Sequence, residues 1–293
     1  MFEGFERARI DTGEATINTV HGGSGPPVLL LHGFPQTSAM WAPIASQLAQ
    51  THTVVATDLR GYGESSRPES GPGHAGYSFR AMAADQVAVM TALGHERFAV
   101  VGHDRGARVT HRMSLDHPDR VSRAALLDIL PTRYVYANVD RALATAYYHW
   151  FFFIQPADLP ERLIAGDPIG YLHDLLGSWG GGLDHVAPDA LASYVRAFAD
   201  PAARHAMLED YRAGASTDLE HDEVDRDRRV EIPLLVVWGS RGVVGRNRVD
   251  PLEVWSAQAT DVHGATVDAG HFLVEERPAD TLGILRPFLD GSL

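Results

Sequence analysis

Short apolar runs alternate along the chain with segments that have the spacing of amphipathic helices. This alternation is typical of βα units, which build a mostly parallel sheet. We interpret as buried strands the runs at residues 28–31, 53–57, 98–101, 123–127, 234–238 and 266–267. The pattern therefore predicts an α/β fold.

The stretch 132–217 has a different pattern. It lacks strand-like runs and is rich in helix formers, aromatic residues and Gly or Pro breaks, as in the run of seven bulky residues at 147–153. We predict a helical cap over 132–217, inserted between two parts of an α/β core, 1–131 and 218–293.

Three residues with reactive side chains follow predicted strands. Asp104, Asp128 and His271 each come directly after, or a few residues after, an apolar run. In open α/β sheets the functional loops lie at the carboxyl ends of the strands. We therefore expect these three side chains to meet at one edge of the sheet.

Asp104 stands at the centre of the motif Gly-His-Asp-Arg-Gly, residues 102–106. The pattern Gly-x-nucleophile-x-Gly after a strand is that of a nucleophile elbow, which usually has Ser at its centre. A carboxylate in that place can attack a saturated carbon and form an ester that water must then hydrolyse. The alternative is a simple helix N-cap Asp, but the two flanking glycines favour the nucleophile.

His271 and Asp128 complete a possible triad. His271 is a candidate general base for the hydrolysis step, and Asp128 a candidate for orienting it. The chain order is nucleophile, acid, base, and no carboxylate follows the strand 234–238 until Asp250. The alternatives are a packing role for His271, one of 15 histidines, and a cap-entry role for Asp128.

Arg105 and Arg108 lie three residues apart at the start of the helix after the elbow. Residues at that spacing share a helix face, and this end of a helix favours anions. Because a planar guanidinium matches a carboxylate, the pair predicts an anionic substrate. The alternative is that both pair with surface acids of a chain whose net charge is −13.

The composition narrows the class of protein. With 293 residues, 45% of them hydrophobic, the chain suits one sizeable soluble domain with an insertion, or two small ones. Its acidic charge argues against nucleic-acid binding, and the absence of Cys excludes thiol catalysis and Cys-based metal sites. The N-terminus lacks the apolar core of a signal peptide and no run is long enough to span a bilayer. We expect a cytoplasmic protein that does not bind membranes.

These motifs give the chain a family resemblance. It resembles the α/β-hydrolase family and, within it, the fluoroacetate (haloacetate) dehalogenases, over nearly its whole length. The resemblance rests on residues 32–37, 102–108, 128–132, 148–150, 209–214 and 270–272. The first two motifs are shared with epoxide hydrolases and haloalkane dehalogenases, whereas the Arg105/Arg108 and His149/Trp150 pairs are narrower. The implied fold is the α/β-hydrolase fold, a mostly parallel sheet flanked by helices with an inserted helical cap.

The resemblance implies hydrolysis of a small-molecule haloacid, such as fluoroacetate to glycolate and fluoride, without a metal or an organic cofactor. Arg105 and Arg108 are then expected to bind the substrate carboxylate. The expected halide-binding donors are His149, Trp150 and Tyr211, the expected oxyanion donors are the amides of Phe34 and Arg105, and Trp179 is expected in the pocket lining. A homodimer is implied by the resemblance alone.

The geometry of the halide donors and the reaction itself have alternatives. His149 and Trp150 are adjacent and would point about 100° apart on a regular helix, so they converge only if the pocket lies between them or if a helix begins or kinks there. An epoxide hydrolase would use Asp104 with two cap tyrosines, Tyr211 and one of Tyr147, Tyr148 and Tyr171. Arg105 and Arg108 have no role on a neutral epoxide. A non-catalytic binding protein is a third possibility.

Overall fold

Eight strands form a single sheet within the residues that the computed structural model describes, 1–246 and 249–292. The order across the sheet is β1-β2-β4-β3-β5-β6-β7-β8. The strands are β1 Glu6–Asp11, β2 Thr16–Gly23, β3 Pro27–Leu31, β4 Thr53–Thr57, β5 Phe98–His103, β6 Val121–Leu127, β7 Leu234–Gly239 and β8 Val262–Val267. β1 pairs antiparallel with β2, and β2 pairs antiparallel with β4. The remaining neighbours in the sheet order, from β4 through β3 to β8, pair in parallel. The predicted mostly parallel sheet is confirmed.

The central strands are buried because their sequences are continuous apolar runs, which need cover on both faces of the sheet. Every residue of β5 is buried, as are the last four of β3 and of β6. The flanking core helices are α1 Ala42–Leu48, α2 Phe79–Ala92, α3 Arg105–Asp116, α12 Val243–Arg246, α13 Pro251–Ser256, α14 Leu273–Glu276 and α15 Pro278–Leu289.

The N-terminal hairpin of β1 and β2 has no counterpart among the predicted strands. β1 lies at the edge of the sheet and has no fully buried residue. Its sequence carries the charged residues Glu6, Arg7 and Arg9, as is common for edge strands that must not pair with another chain. The apolar alternation that identifies a half-buried strand is therefore weak there.

The segment after β6 is helical. From Thr132 to Val224 the backbone forms only helices and turns. The helices are α4 Thr132–Ala137, α5 Arg141–Ala146, α6 Tyr148–Phe153, α7 Leu159–Ile164, α8 Pro168–Trp179, α9 Pro188–Ala199, α10 Pro201–Gly214 and α11 Thr217–Val224. We call 132–217 the cap. The predicted return to the core at 218 falls within α11, and the division into 1–131, 132–217 and 218–293 stays a prediction.

The register of the parallel strands brings the candidate catalytic loops together. β5 lies between β3 and β6, with Gly102 opposite Leu31 on one side and Leu126 on the other. The pairing continues past the strand ends, where the Asp104 amide donates to the Leu127 carbonyl at 3.2 Å. The loops that follow β3, β5 and β6 therefore leave the sheet side by side.

The turn at Asp104 depends on its neighbouring glycines. Asp104 has φ 45° and ψ −112°, outside the regions that non-glycine residues favour. A Cβ on Gly102 would lie 2.4 Å from the Gly106 carbonyl oxygen, and one on Gly106 would lie 2.4 Å from the carbonyl oxygens of Leu31 and His32. Both glycines allow backbone segments to approach more closely than any side chain permits.

Replacing Gly106 with Ala should destabilise the protein by about 2 kcal/mol or more, because the new methyl group meets fixed backbone rather than a flexible side chain. Urea unfolding would measure the change. The matched control is Gly177→Ala in α8, where an added Cβ has no atom within 4 Å, so stability should stay equal or rise slightly. Equal stability of the two variants would contradict the packing argument.

Candidate active site

The Asp104 carboxylate lies at the mouth of the elbow and is almost completely buried. Its Oδ1 accepts a hydrogen bond from the Phe34 amide at 2.9 Å. Burial raises the pKa of Asp104, but neighbouring positive charges, first that of His271 and then those of Arg108 and Arg105, outweigh it and lower the pKa to about 2. The carboxylate is therefore ionised at neutral pH, as a nucleophile must be.

His271 is coupled to Asp128 and faces Asp104. Nδ1 of His271 lies 2.6 Å from Asp128 Oδ2, and the other oxygen of Asp128 accepts from the Gly239 amide at 3.0 Å. Nε2 of His271 lies 4.0 Å from Asp104 Oδ2, which is too long for a direct hydrogen bond. The predicted order of nucleophile, base and orienting acid is present in space.

The electrostatics of this pair favour a charged imidazole. Burial lowers the pKa of His271, but the hydrogen bond to Asp128 and the charges of Asp128 and Asp104 outweigh it, so the pKa is raised. Burial raises the pKa of Asp128, although its hydrogen bonds from His271 and Gly239 oppose the rise. Asp128 thus holds the ring in place and favours its protonated form.

His103 and Trp179 hold the backbone of His271 in place. His103 Nε2 donates to the His271 carbonyl at 2.9 Å, and the His271 amide donates to the Trp179 carbonyl at 2.9 Å. Burial, followed by the charge of His271, lowers the pKa of His103 to about 3, so His103 stays neutral. His103 carries no signal in the sequence beyond its place in the elbow motif, and its supporting role emerges only from the fold.

Arg108 is buried near Asp104, and its guanidinium is only partly engaged. Its Nη1 donates to the Leu130 carbonyl at 3.0 Å and to Thr132 Oγ1 at 2.9 Å, and its guanidinium stacks over the Trp150 ring at 4.5 Å. Among the described residues, neither Nε nor Nη2 has a hydrogen-bond partner. Burial, and then the charge of Arg105, lower the pKa of Arg108. Such a buried cation without a counter-ion is suited to bind an anion.

Arg105 is engaged by the cap. Its Nε donates to Asp210 Oδ2 at 2.9 Å, and its Nη2 donates to Asp210 Oδ1 and to the Asp210 carbonyl. Burial lowers the pKa of Arg105, but Asp210 outweighs it and the pKa is raised. Within the described part of the chain only Nη1 has no partner. Arg105 stays a candidate for binding a substrate carboxylate, but through Nη1 alone and not through two nitrogen atoms.

The three proposed halide donors lie together because the Tyr211 ring of α10 lies near the rings of both His149 and Trp150 in α6. The ring centroid of Tyr211 lies 5.9 Å from that of His149 and 6.3 Å from that of Trp150. Among the described residues, the Tyr211 hydroxyl and His149 Nδ1 are buried without a hydrogen-bond partner. Burial lowers the pKa of His149 to about 3, so its ring is neutral and can donate one N–H.

Trp179 and Phe34 link these groups. The Trp179 ring centroid lies 4.4 Å from that of His149, 5.8 Å from that of His271 and 6.1 Å from that of Phe34. The Phe34 ring also packs against Tyr211 at 5.3 Å. The structure therefore brings together all the site residues that the sequence predicts, namely Phe34, Asp104, Arg105, Arg108, Asp128, His149, Trp150, Trp179, Tyr211 and His271.

Two of the alternative tyrosines lie elsewhere. The hydroxyl groups of Tyr148 and Tyr171 pair with each other at 3.1 Å, and Tyr148 is exposed. Tyr147 stacks on Trp150 with ring centroids 5.3 Å apart and stays a possible second tyrosine. Asp210 is the site residue that the sequence interpretation lacks, although its motif, 209–214, is part of the resemblance.

The described residues contain no group of three or more His, Cys, Asp or Glu side chains arranged to hold a metal ion. In the same part of the chain no helix is both long and apolar enough to cross a membrane.

Comparisons with known proteins agree with this geometry. The family model described as alpha/beta hydrolase fold matches residues 26–278. Fluoroacetate dehalogenase of Burkholderia sp. is 50% identical over the whole chain and 96% of its own length. Soluble epoxide hydrolase of Corynebacterium sp. (strain C12) is 32% identical over 88% of each chain. A solved structure from Nostoc sp. PCC 7120, described as a candidate alpha/beta hydrolase, matches with a TM-score of 0.97 and 55% identity over 99% of both chains.

Replacing Asp128 with Asn should lower the pKa of His271, because burial would no longer be opposed by the Asp128 charge. The turnover rate should fall by about 10⁴-fold, as expected when the base loses its correct tautomer. NMR titration of the His271 ring would measure the pKa. The control is Asp268→Asn, because Asp268 is an exposed carboxylate that pairs with Arg241 and not with His271. An unchanged His271 pKa in Asp128→Asn would rule out the coupling.

Proposed function

The chain belongs to the alpha/beta hydrolase fold family, and we propose that it is a hydrolytic dehalogenase of short 2-haloacids, with fluoroacetate as the leading substrate. One observation carries the proposal. The ionised Asp104 is buried near the Arg108 guanidinium and the Tyr211 hydroxyl. Among the described residues, neither that hydroxyl nor Nε and Nη2 of Arg108 has a hydrogen-bond partner. Such a site offers a cation for the substrate carboxylate and neutral donors for a departing halide.

In the first step Asp104 displaces the halide. Arg108, with Nη1 of Arg105, holds the substrate carboxylate and presents the neighbouring carbon to Asp104. Oδ2 of Asp104 attacks that carbon, the carbon–halogen bond breaks, and the halide leaves with the bonding electron pair. His149, Trp150 and Tyr211 donate hydrogen bonds to the charge that builds on the halogen. Fluoride is small and a poor leaving group, so it needs several such donors.

In the second step water hydrolyses the Asp104 ester. His271 takes a proton from water, and the hydroxide adds to the ester carbonyl carbon. The Phe34 amide already bonds to Oδ1, the oxygen on which negative charge then develops. Collapse of this intermediate releases the hydroxyacid, which takes the proton from His271. Asp104 returns to its ionised form, and one proton passes to solvent for each substrate consumed.

The epoxide-hydrolase alternative uses the same Asp104. Tyr211 and Tyr147 are the tyrosines left to activate an epoxide oxygen. The open edge of the Arg108 guanidinium favours the haloacid, since a neutral epoxide gives a buried cation no partner. Halide release from fluoro-, chloro- and bromoacetate, measured beside diol formation from styrene oxide, distinguishes the two reactions. Asp104→Ala is the control and should be inactive on all four. Turnover of styrene oxide alone would reverse the assignment.

Replacing His271 with Asn should stop the cycle after the first step, because Asn cannot accept a proton from water. One equivalent of halide should be released per active site, and the protein should gain the mass of one carboxymethyl group on the peptide that carries Asp104. Intact-mass and peptide mass spectrometry after incubation with chloroacetate would detect it. Asp268→Asn serves as the control and should turn over without retaining the adduct. Release of halide without an adduct would exclude the ester.

The pH dependence of the two steps should differ. Because the pKa of His271 is raised, its ring stays protonated up to a higher pH than that of an ordinary histidine. A protonated ring cannot act as a base. Asp104, with a pKa of about 2, stays ionised there. At about pH 5 we therefore expect a fast burst of halide followed by a slow phase, and the slow phase should accelerate as the pH rises. Rapid-mixing halide measurements would detect both. If the burst is lost at low pH together with the slow phase, the two steps do not depend on pH in this way.

A further inference from the structure

We propose that Asp210, a cap residue outside the triad, is a positioning residue for halide departure. It fixes the Arg105 guanidinium and through it holds the neighbouring Tyr211 hydroxyl in place for the departing halide. The inference rests on the proposed dehalogenase function and assigns a task to a residue that touches neither the substrate nor the halide.

The first observation is the geometry of the ion pair. Asp210 in α10 and Arg105 in α3 are both completely buried and meet along the side of the guanidinium formed by Nε and Nη2. Asp210 Oδ2 also accepts from the Tyr62 hydroxyl at 2.7 Å. Both carboxylate oxygens and three of the five guanidinium N–H groups are satisfied. The ion pair therefore links the cap to the core in one fixed arrangement.

The second observation concerns the contact that the ion pair between Asp210 and Arg105 prevents. A guanidinium with a free Nε/Nη2 edge at the first residue after Asp104 would be drawn to the Asp104 carboxylate, its nearest anion in sequence. Instead, the only hydrogen bond to that carboxylate comes, among the described residues, from the Phe34 amide. Asp210 thus keeps Arg105 from masking the nucleophile. It leaves Nη1 as the atom that Arg105 can offer to a substrate.

The third observation concerns Tyr211, the next residue along α10. The Arg105 guanidinium carbon lies 4.3 Å from the centre of the Tyr211 ring and 4.7 Å from that of Phe79 in α2. The ring of Tyr211 therefore rests on the same guanidinium that Asp210 holds, and its buried hydroxyl has no protein partner within the described ranges. Because the ion pair fixes α10 and the guanidinium together, it also fixes the direction of that hydroxyl.

The test compares leaving groups. Fluoride concentrates more charge than bromide, so its departure depends more on each donor. We expect Asp210→Asn to slow fluoride release in a single turnover by about 100-fold, close to the loss of one preorganised donor, and to slow bromide release by less than about tenfold. Fluoroacetate or bromoacetate is limiting and the enzyme is in excess, at a concentration that binds all of the substrate, so that halide release reports the first step alone.

The matched control is Asp218→Asn, the same change at another buried carboxylate near the cap boundary. Asp218 accepts from the Phe79 amide at 2.9 Å and does not touch Arg105. Its ratio of fluoride to bromide release should stay within about threefold of the parent protein. Tyr211→Phe should show the same ratio of fluoride to bromide release as Asp210→Asn. The variant that carries both substitutions should release fluoride no more than about threefold more slowly than the slower of the two single variants, because both substitutions act through the same hydroxyl.

Equal slowing of both halides by Asp210→Asn would overturn the proposal, because a merely structural role does not discriminate between leaving groups. Multiplying effects in the double variant would overturn it as well. Loss of a buried carboxylate partner is severely destabilising. If Asp210→Asn does not fold, Arg105→Lys keeps the charge but cannot span the carboxylate, and the same bias against fluoride is expected from it. Equal slowing there overturns the proposal. Failure of the parent protein to release either halide would refute the proposed function itself.

Discussion

Asp104 adopts a left-handed backbone between β5 and α3, with φ 45°. A non-glycine residue in such a conformation costs of the order of 1–3 kcal/mol and persists only where its surroundings fix it. Here the surroundings are two glycines that let the backbones of β3, β5 and α3 touch. The same turn places the Phe34 amide on Oδ1 and starts α3 with Arg105 and Arg108. The reacting group, its hydrogen bond and its neighbouring cations all follow from one backbone conformation.

The core and the cap divide the work of the site. The loops after the strands carry Asp104, Asp128 and His271, the residues proposed to form and hydrolyse the ester. The cap carries His149, Trp150 and Tyr211, the residues proposed to bind the departing halide. The two parts meet in the buried pair of Arg105 and Asp210, whose members would each be costly to bury alone. Recognition by this site therefore requires the cap to be seated on the core.

Local patterns predict the core chemistry, because each reactive residue follows an apolar run that is itself a strand. The β1–β2 hairpin is harder to predict, since β1 is a charged edge strand without a buried face. The engagement of Arg105 by Asp210 cannot be predicted locally, since the pair joins residues 105 positions apart and depends on how α10 docks on α3. The grouping of His149 and Trp150 with Tyr211 depends on how α10 packs beside α6, which no local pattern in the sequence predicts.

The hydrogen bond from Phe34 makes the two oxygens of Asp104 unequal. Oδ1 is held by the amide, so in the proposed reaction Oδ2 is the oxygen that bonds to the substrate carbon. When water then attacks the ester carbon of Asp104, the bond that breaks is the one between that carbon and Oδ2. In such a reaction the oxygen atom delivered to the product comes from the protein, and the atom taken from water stays behind in Asp104. The proposed mechanism thus implies that the Asp104 side chain is partly rebuilt from solvent in every cycle.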